Sequence, residues 1–330
     1  MIRSAALCLF LALPAAAADA ACAGRDLLPT LDGVERARIT AAVDALDHGR
    51  GNRWRATRGE EVIQIVGTYH FDDPRHEAVM DRLAPAIDAA SVVLVEAGPE
   101  EMAALQAEMA RRPDRLFSTA GPTLPERLEE ADWQALSVAM QARGVPAFMA
   151  AKMQPWYVAM LLGIPSCAME DLASDPNGLD ARVIARAAAQ GVPVRALEPY
   201  DTVFTLFDSM SAADQIDMIR TTLAMVDAAE DYAATLTAAY FAEDVRVTWE
   251  LGRITANNLP GQTPEKVDAD LARMEELLMA RRNRSWIPQI TAAAAEGPVF
   301  AAFGALHLSG QDGVLALLER EGFALERLPF

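Results

Sequence analysis

The sequence predicts an α/β fold with a helical insertion. Short apolar runs typical of strands recur along the chain, and long stretches rich in Ala, Leu, Glu and Arg separate them. The strand-like runs are Val62–Gly67, Val92–Glu96, Val192–Leu197, Val299–Gly304 and Phe323–Leu328. Since no low-complexity linker divides the chain, we treat residues 21–330 as one region.

Apolar periodicity and helix punctuation predict helices between these strands. The predicted helices are Glu77–Ala89, Glu100–Ala110, Leu124–Ala142, Leu179–Gln190 and Asp312–Glu321. The span from about 211 to 284 is almost without strand signals, which predicts an all-helical insertion packed on the core as a lid. Its interruption at Asn257–Pro264 predicts a loop that joins two helical layers.

The first residues are typical of a secretory signal peptide. Arg3 gives the early positive charge, residues 5–18 are apolar, and Ala18-Asp19-Ala20 offers a cleavage site. We therefore expect removal of residues 1–20 and a periplasmic or secreted mature protein. No later segment has the ~20 uncharged apolar residues that a membrane span needs.

The charge and the cysteines give two further expectations. The formal net charge of −18 opposes binding to nucleic acids and to anionic lipids. Once Cys8 leaves with the signal peptide, Cys22 and Cys167 are the remaining cysteines. In an oxidising compartment they predict one disulfide, with two buried thiols as the alternative.

A hydrophobic strand running into Gly-x-x-His occurs twice, at Ile63–His70 and at Val299–His307. With 19 glycines and 4 histidines in 330 residues, chance predicts fewer than one such pattern. Each Gly suits a sharp turn or a close contact at the end of a buried strand. Because ligand sites form at the carboxyl edge of such sheets, two imidazoles meeting there favour a transition-metal site. The alternative is a pair of hydrogen-bonded structural histidines.

Two glutamates also end predicted strands. Glu96 follows the continuous apolar run Val92–Val95, and Glu198 follows Val192–Leu197. A buried carboxylate needs a metal or a cation as its partner, and beside a metal it can act as ligand or general base. The alternative is a structural salt bridge.

Other polar residues are secondary candidates. Asp72, Asp73 and His76 follow the first motif, and His76 is the best-placed spare ligand among them, although the sequence favours a solvent-facing helix start for it. The segment Arg281–Trp286 could orient a carboxylate or a substrate carbonyl, or form a surface basic patch. The Trp156-Tyr157 pair is most simply core or groove lining.

Seven segments in order resemble the TraB/PrgY/GumN family, which also contains the Tiki proteases. They are GTYH, VVLVEAGP, KMQPWYVAML, PNGLD, VPVRALEPYD, RRNRSW and VFAAFGALHLSGQDGVLALLEREGF, and they span nearly the whole mature chain. The resemblance implies a central mixed sheet of the erythromycin-esterase/ChaN-like type. From the Tiki branch it also implies divalent-metal-dependent peptide hydrolysis.

Matched residue by residue, the family's required histidines and glutamate fall on His70, His307 and Glu96. These would hold a divalent cation, with Mn, Co, Zn and Fe all compatible with two imidazoles and a carboxylate. The family's Arg-Asn pair falls on Arg282 and Asn283, and its Leu-Glu strand end falls on Glu198.

We therefore expect an exported metal-dependent hydrolase acting on a peptide or protein. Glu198 would assist proton transfer, while Arg282 and Asn283 would steady the substrate carbonyl or the oxyanion. Two other functions remain open: a protein of the same fold that binds or sequesters peptides without turnover, and a haem-binding or metal-binding protein. The sequence predicts no oligomeric state.

Overall fold

The computed structural model describes residues 22–169 and 177–330; the predicted signal peptide and Pro176 of the PNGLD segment lie outside these ranges. Within them the chain has the predicted α/β fold, built on a mixed sheet with strand order β4-β3-β5-β2-β1-β6. The strands are β1 (Arg53–Arg58), β2 (Glu61–Thr68), β3 (Val92–Val95), β4 (Val194–Ala196), β5 (Val299–Gly304) and β6 (Ala324–Arg327).

Four strands run in parallel and end at the same edge of the sheet. β5 lies between β2 and β3 in parallel pairings, and β3 pairs in parallel with β4. The register places Thr68 opposite Gly304 and Val95 opposite Ala302. The carboxyl ends of β2, β3, β4 and β5 therefore lie side by side.

The strand β1 was not predicted. Its sequence RWRATR alternates polar and buried residues, and it pairs antiparallel with β2 on one side and with β6 on the other. A strand with one solvated face lacks the continuous apolar run of the central strands. Gly59 makes the tight turn into β2 with φ +60°.

The described helices begin before β1 and continue to the last strand. They are α1 (Gly33–Asp44), α2 (His76–Asp88), α3 (Pro99–Arg111), α4 (Leu124–Arg127), α5 (Glu130–Ala142), α6 (Ala147–Ala150), α7 (Pro155–Leu162), α8 (Leu179–Gln190), α9 (Thr202–Asp208), α10 (Ala212–Leu223), α11 (Ala229–Phe241), α12 (Arg246–Asn257), α13 (Pro264–Glu275), α14 (Arg281–Glu296) and α15 (Val314–Arg320). A π-helical turn, Glu276–Ala280, joins α13 to α14.

Two predicted helices differ from the structure for local reasons. The predicted helix Leu124–Ala142 is divided into α4 and α5, because Leu128 and Glu129 are extended with ψ near 150°. The predicted helix Asp312–Glu321 begins only at Val314, because Gly313 is extended.

Hydrophobic cores cover both faces of the sheet, as parallel strands require. On one face, Ile65 and Leu94 pack with Trp286 of α14 and with α15. On the other, Val66 and Val93 pack with α2 and α8. A third apolar cluster lies away from the sheet and joins α5 and α7 to α10, which starts the predicted insertion.

A disulfide joins Cys22 to Cys167, with the two Cα atoms 5.4 Å apart. It fastens the first described residue to the short turn that follows α7. Among the described residues, no helix combines the length and apolar character needed to cross a bilayer.

Candidate functional site

The parallel strand ends bring four predicted site residues to one edge of the sheet. His70 lies two residues beyond β2, Glu96 follows β3 directly, Glu198 lies two residues beyond β4, and His307 lies three residues beyond β5. These four residues are far apart in the sequence. The strand order places the ends of their strands side by side, so the residues are neighbours in space.

Gly304 marks the centre of this cluster. A methyl group added to its Cα would lie 3.2 Å from Glu96 Oε1, 3.7 Å from His307 Cδ2 and 3.9 Å from His70 Nε2. The two imidazoles and the carboxylate therefore surround one small cradle. Glycine at this position keeps the cradle open.

The glycine of the first motif has a different purpose. A methyl group on Gly67 would lie 2.8 Å from Ala305 Cα and 2.7 Å from Leu308 Cδ1. The backbone of the first Gly-x-x-His motif thus packs directly on the residues around the second. Glycine is required there for close packing, as its position at a strand end predicted.

Glu96 is held in its ionised form. Its Oε1 accepts a hydrogen bond from the Gly304 N–H at 2.6 Å, and its Oε2 accepts one from Arg282 at 2.7 Å. Burial acts to raise the pKa of Glu96, but the charges of His307, Arg282 and His70 outweigh burial and lower it to about 2. A carboxylate this acidic is a weak proton acceptor at neutral pH.

Asn283 fixes the tautomer of His307. Its Nδ2 donates to the backbone carbonyl of Asp312 at 2.8 Å, so its Oδ1 is left to accept from His307 Nδ1 at 2.6 Å. Nδ1 therefore carries the proton, and Nε2 presents a lone pair to the site. Burial lowers the pKa of His307 to about 4, so the ring is neutral at pH 7.

His70 has the same arrangement with a charged partner. Its Nδ1 lies 3.1 Å from Asp180 Oδ1, at the start of α8, and its Nε2 faces Gly304. The ring is 61% exposed, in contrast to buried His307. The hydrogen bond to Asp180 raises the pKa of His70 to about 9. Sequence reasoning missed Asp180, although it lies in the PNGLD segment that supported the resemblance.

Arg282 brings a guanidinium to the cluster, and Glu198 holds that guanidinium in place. Arg282 Nε and Nη2 donate to the two carboxylate oxygens of Glu198 at 2.5 and 2.9 Å. Trp286 Nε1 also donates to Glu198, at 2.9 Å. Both oxygens of Glu198 are therefore engaged, and this geometry favours a positioning role over the proton transfer expected from the sequence.

Asn283 also has a different role from the one expected. It is buried and contacts His307 and the backbone of Asp312, so it orients the histidine and lies behind the cavity that a substrate would enter. Arg282 does line that cavity, with His70, Glu96 and Glu198. Of the predicted Arg-Asn pair, only the arginine is placed to reach a substrate.

The residues after the first motif make contacts of their own. His76 is buried among Tyr69, Tyr240 and Phe241, and its Nε2 lies 3.1 Å from the carbonyl of Phe71. Asp73 pairs with Arg75, and Asp72 pairs with Arg182. His76 does begin α2, as predicted, but its ring is buried by aromatic packing and does not face solvent. The same packing holds the ring in contact with the Phe71 carbonyl, so His76 is not placed to serve as a spare ligand.

The cluster fits a divalent transition metal in the type of its donors. His70 Nε2 and Glu96 Oε1 face the Gly304 cradle, and His307 Nε2 lies 3.9 Å from Glu96 Oε1. An oxygen partner fixes the Nδ1 of each imidazole, as is usual behind metal ligands. Among residues 22–169 and 177–330, however, no three such donors stand at metal-holding positions. Arg282 Nη1 lies 3.2 Å from His307 Nε2, so drawing the donors together requires this guanidinium to shift.

Comparison with known proteins agrees with the sequence resemblance. The profile of the TraB/PrgY/gumN family matches residues 52–327, from the start of the sheet to its last strand. No curated protein and no solved structure matches the chain significantly.

Proposed function

The chain belongs to the TraB/PrgY/gumN family, and on this premise we propose that it is a divalent-metal-dependent hydrolase that cleaves peptide bonds. The observation that carries the proposal is the convergence of His70, Glu96 and His307 on the cradle above Gly304, at one end of a cavity of about 700 Å³. A donor set of this kind beside a cavity is typical of a catalytic site.

His70 and His307 would hold the ion through Nε2, and Glu96 would hold it through Oε1. When bound, such an ion lowers the pKa of water and polarises a carbonyl. The protein keeps His307 ready as a ligand, because burial keeps its ring neutral and Asn283 fixes the proton on Nδ1. The raised pKa of His70 means that an ion bound at its Nε2 would displace a proton.

Arg282 would stabilise the oxyanion that develops on the substrate carbonyl. Glu198 holds Nε and Nη2 of the guanidinium through two hydrogen bonds, and Trp286 holds Glu198. Nη1 contacts His307 Nε2 at 3.2 Å; it would leave that contact when an ion binds and would then be able to donate to the oxyanion. Glu198 is in this scheme a positioning residue.

The disulfide between Cys22 and Cys167 supports an exported location, because such bonds persist in oxidising compartments. We place the protein in the periplasm or outside the cell.

A peptide-binding protein without turnover is the second candidate. One observation favours it: Arg282 pairs with Glu96 through Oε2 and contacts His307 Nε2, so the arginine balances the charge of the carboxylate and occupies the histidine nitrogen that an ion would use. In that case the cavity would bind peptides while the cluster stayed a closed ionic network.

The decisive experiment is cleavage of a peptide library by protein reconstituted separately with Mn, Co, Zn and Fe, read by mass spectrometry. Cleavage that a chelator and His307→Ala both abolish supports the hydrolase. His48→Asn is the matched control, because His48 lies outside the cluster against Glu319 and its φ of 50° suits asparagine. Binding without cleavage under every metal would support the second candidate.

A further inference from the structure

The cavity beside the cluster has a polar end and an apolar body. At the polar end lie His70, Glu96, Glu198 and Arg282. The body runs between the carboxyl edge of the sheet and the helical layer. Its walls are formed by Trp156, Leu206, Phe207, Met218, Met274 and Leu278.

Methionines form both the mouth and the walls. Met102 on α3 and Met160 on α7 are 45% and 43% exposed at the mouth, whereas Met218 and Met274 lie deeper and are partly buried. Unbranched, polarisable methionine side chains adapt to apolar groups of different shape. Large apolar side chains exposed at a cavity mouth indicate a binding surface.

One wall is rigid. Trp156 stacks on Phe207 with ring centroids 4.8 Å apart and planes 13° apart, and Phe204 packs edge-on at 6.1 Å. An aromatic wall opposite flexible methionines gives a slot that favours bulky side chains. An alanine or a glycine in such a slot buries little apolar surface and therefore adds little binding free energy.

The charges exclude some occupants. Three carboxylates, those of Glu96, Glu198 and Glu101, line the cavity and outnumber its two basic groups, the guanidinium of Arg282 and the imidazole of His70, and the whole chain carries a formal charge of −18. An anionic ligand would be repelled. A free fatty acid and an acidic peptide are therefore disfavoured, while a neutral or cationic peptide is not.

The volume limits the length of the occupant. At about 30 Å³ for each water-sized atom, 700 Å³ holds on the order of twenty non-hydrogen atoms. This is the size of a peptide segment of a few residues. Tyr200, Thr202 and Thr222 are among the lining residues. The hydroxyls of Thr202 and Thr222 donate to the carbonyls of Pro199 and Met218, so their oxygens can accept hydrogen bonds from the amide N–H groups of such a segment, which a continuous hydrocarbon chain lacks.

We propose that this cavity is a specificity pocket for an uncharged or cationic peptide segment, and that it takes a large apolar side chain next to the bond held at the polar end. The inference deepens the proposed peptidase function and rests on it for the position of the scissile bond. The binding preference itself can be measured without turnover.

The test is calorimetric titration of the mature protein in chelator with acetylated, amidated hexapeptides of glycine and alanine. One position is varied among alanine, leucine, methionine, phenylalanine, tryptophan and aspartate. We expect the large apolar residues to bind at least about tenfold more tightly than alanine, and aspartate to bind most weakly.

Two substitutions of the wall residue Met274 test whether the preference for large apolar side chains arises in this cavity. Met274→Trp fills the pocket and should remove the advantage of the large residues, while Met274→Ala should move the preference toward tryptophan. Met149→Trp is the matched control, because Met149 is a 38% exposed methionine on α6 outside the cavity. It should bind like the wild type.

Three results would overturn the inference: equal affinity for alanine and leucine peptides, tighter binding of dodecanoate than of any peptide, or an unchanged preference in both Met274 variants. Its failure is distinguishable from failure of the proposed function. If the protein binds peptides selectively but no metal-loaded sample cleaves them, the hydrolase function is refuted and the specificity pocket is supported. If it cleaves peptides without a side-chain preference, the specificity pocket is refuted and the hydrolase function is supported.

Discussion

Adding one methyl group to Gly304 should inactivate the protein without unfolding it. The backbone there has φ −49° and ψ 136°, a conformation that alanine adopts without strain. Alanine restricts the unfolded chain and adds about 0.4–1 kcal/mol, and the tight 3.2 Å approach to Glu96 Oε1 opposes that gain. We expect the free energy of unfolding of Gly304→Ala to stay within about 1 kcal/mol of the wild-type value.

The same methyl group would occupy the cradle that the site needs. It would stand 3.2 Å from Glu96 Oε1, 3.9 Å from His70 Nε2 and 3.7 Å from the ring carbon Cδ2 of His307, whereas a bound ion such as zinc requires ligand atoms at ~2.0–2.1 Å. Metal affinity and peptide cleavage should therefore fall by about 100-fold or more, beyond the usual effect of removing a partner behind a ligand. Calorimetric metal titration and urea unfolding of the same preparation measure the two quantities.

Gly67→Ala is the matched comparison within the other motif. Its methyl group would meet the backbone of Ala305 at 2.8 Å, which is overpacking and should cost about 1–3 kcal/mol of stability. Gly252→Ala in α12 meets nothing within 4 Å and should be neutral or stabilising. The reasoning is refuted if Gly304→Ala retains metal binding, or if Gly67→Ala is as stable as the wild type.

Three further outcomes follow from the contacts of the cluster. Glu198→Gln should lower kcat about tenfold or more with little change in KM, since it loosens the guanidinium that Glu198 holds. Glu326→Gln, which changes a glutamate paired with Arg55 at the far edge of the sheet, should leave kcat unchanged; equal effects would contradict the positioning role. Burial lowers the pKa of His307 from 6.5 to about 4, so its contribution to the stability of metal-free protein is complete above pH 6.5 and is lost as the pH falls toward 4. Urea unfolding at pH 7 and pH 5 should show this loss in the wild type and less of it in His307→Gln. Reducing the disulfide between Cys22 and Cys167 should cost about 2–4 kcal/mol; a melting temperature unchanged by reductant would argue against it.

The sequence predicts the strand ends well and the side-chain roles poorly. The ends of β2, β3 and β5 were recognisable because doubly covered parallel strands are continuous apolar runs, and these ends place His70, Glu96 and His307. β1 escaped recognition because half of its residues are polar, and its burial alternates.

Side-chain partners depend on orientation in space, which a linear pattern does not carry. Asn283 reads like a substrate ligand, yet its position on the buried side of α14 makes it the partner of His307. The position of Glu198 at a strand end predicts a base, but in the structure Trp286 and Arg282 engage both of its carboxylate oxygens. The apolar cavity likewise joins helices far apart in the chain, so no local motif predicts it.

The close packing of Gly67 against Ala305 has a consequence for the order of events in folding. The strands that carry the two motifs pair residue for residue, from Ile63 with Val299 onward, although most of the chain separates them. Pairings of such high contact order form late, because the long intervening loop must close first. A nascent or truncated chain that lacks its final segment has the first motif, with Gly67 and His70. It lacks His307 and the residues around Ala305 on which Gly67 packs. The proposed reaction at this site therefore requires the complete, folded chain.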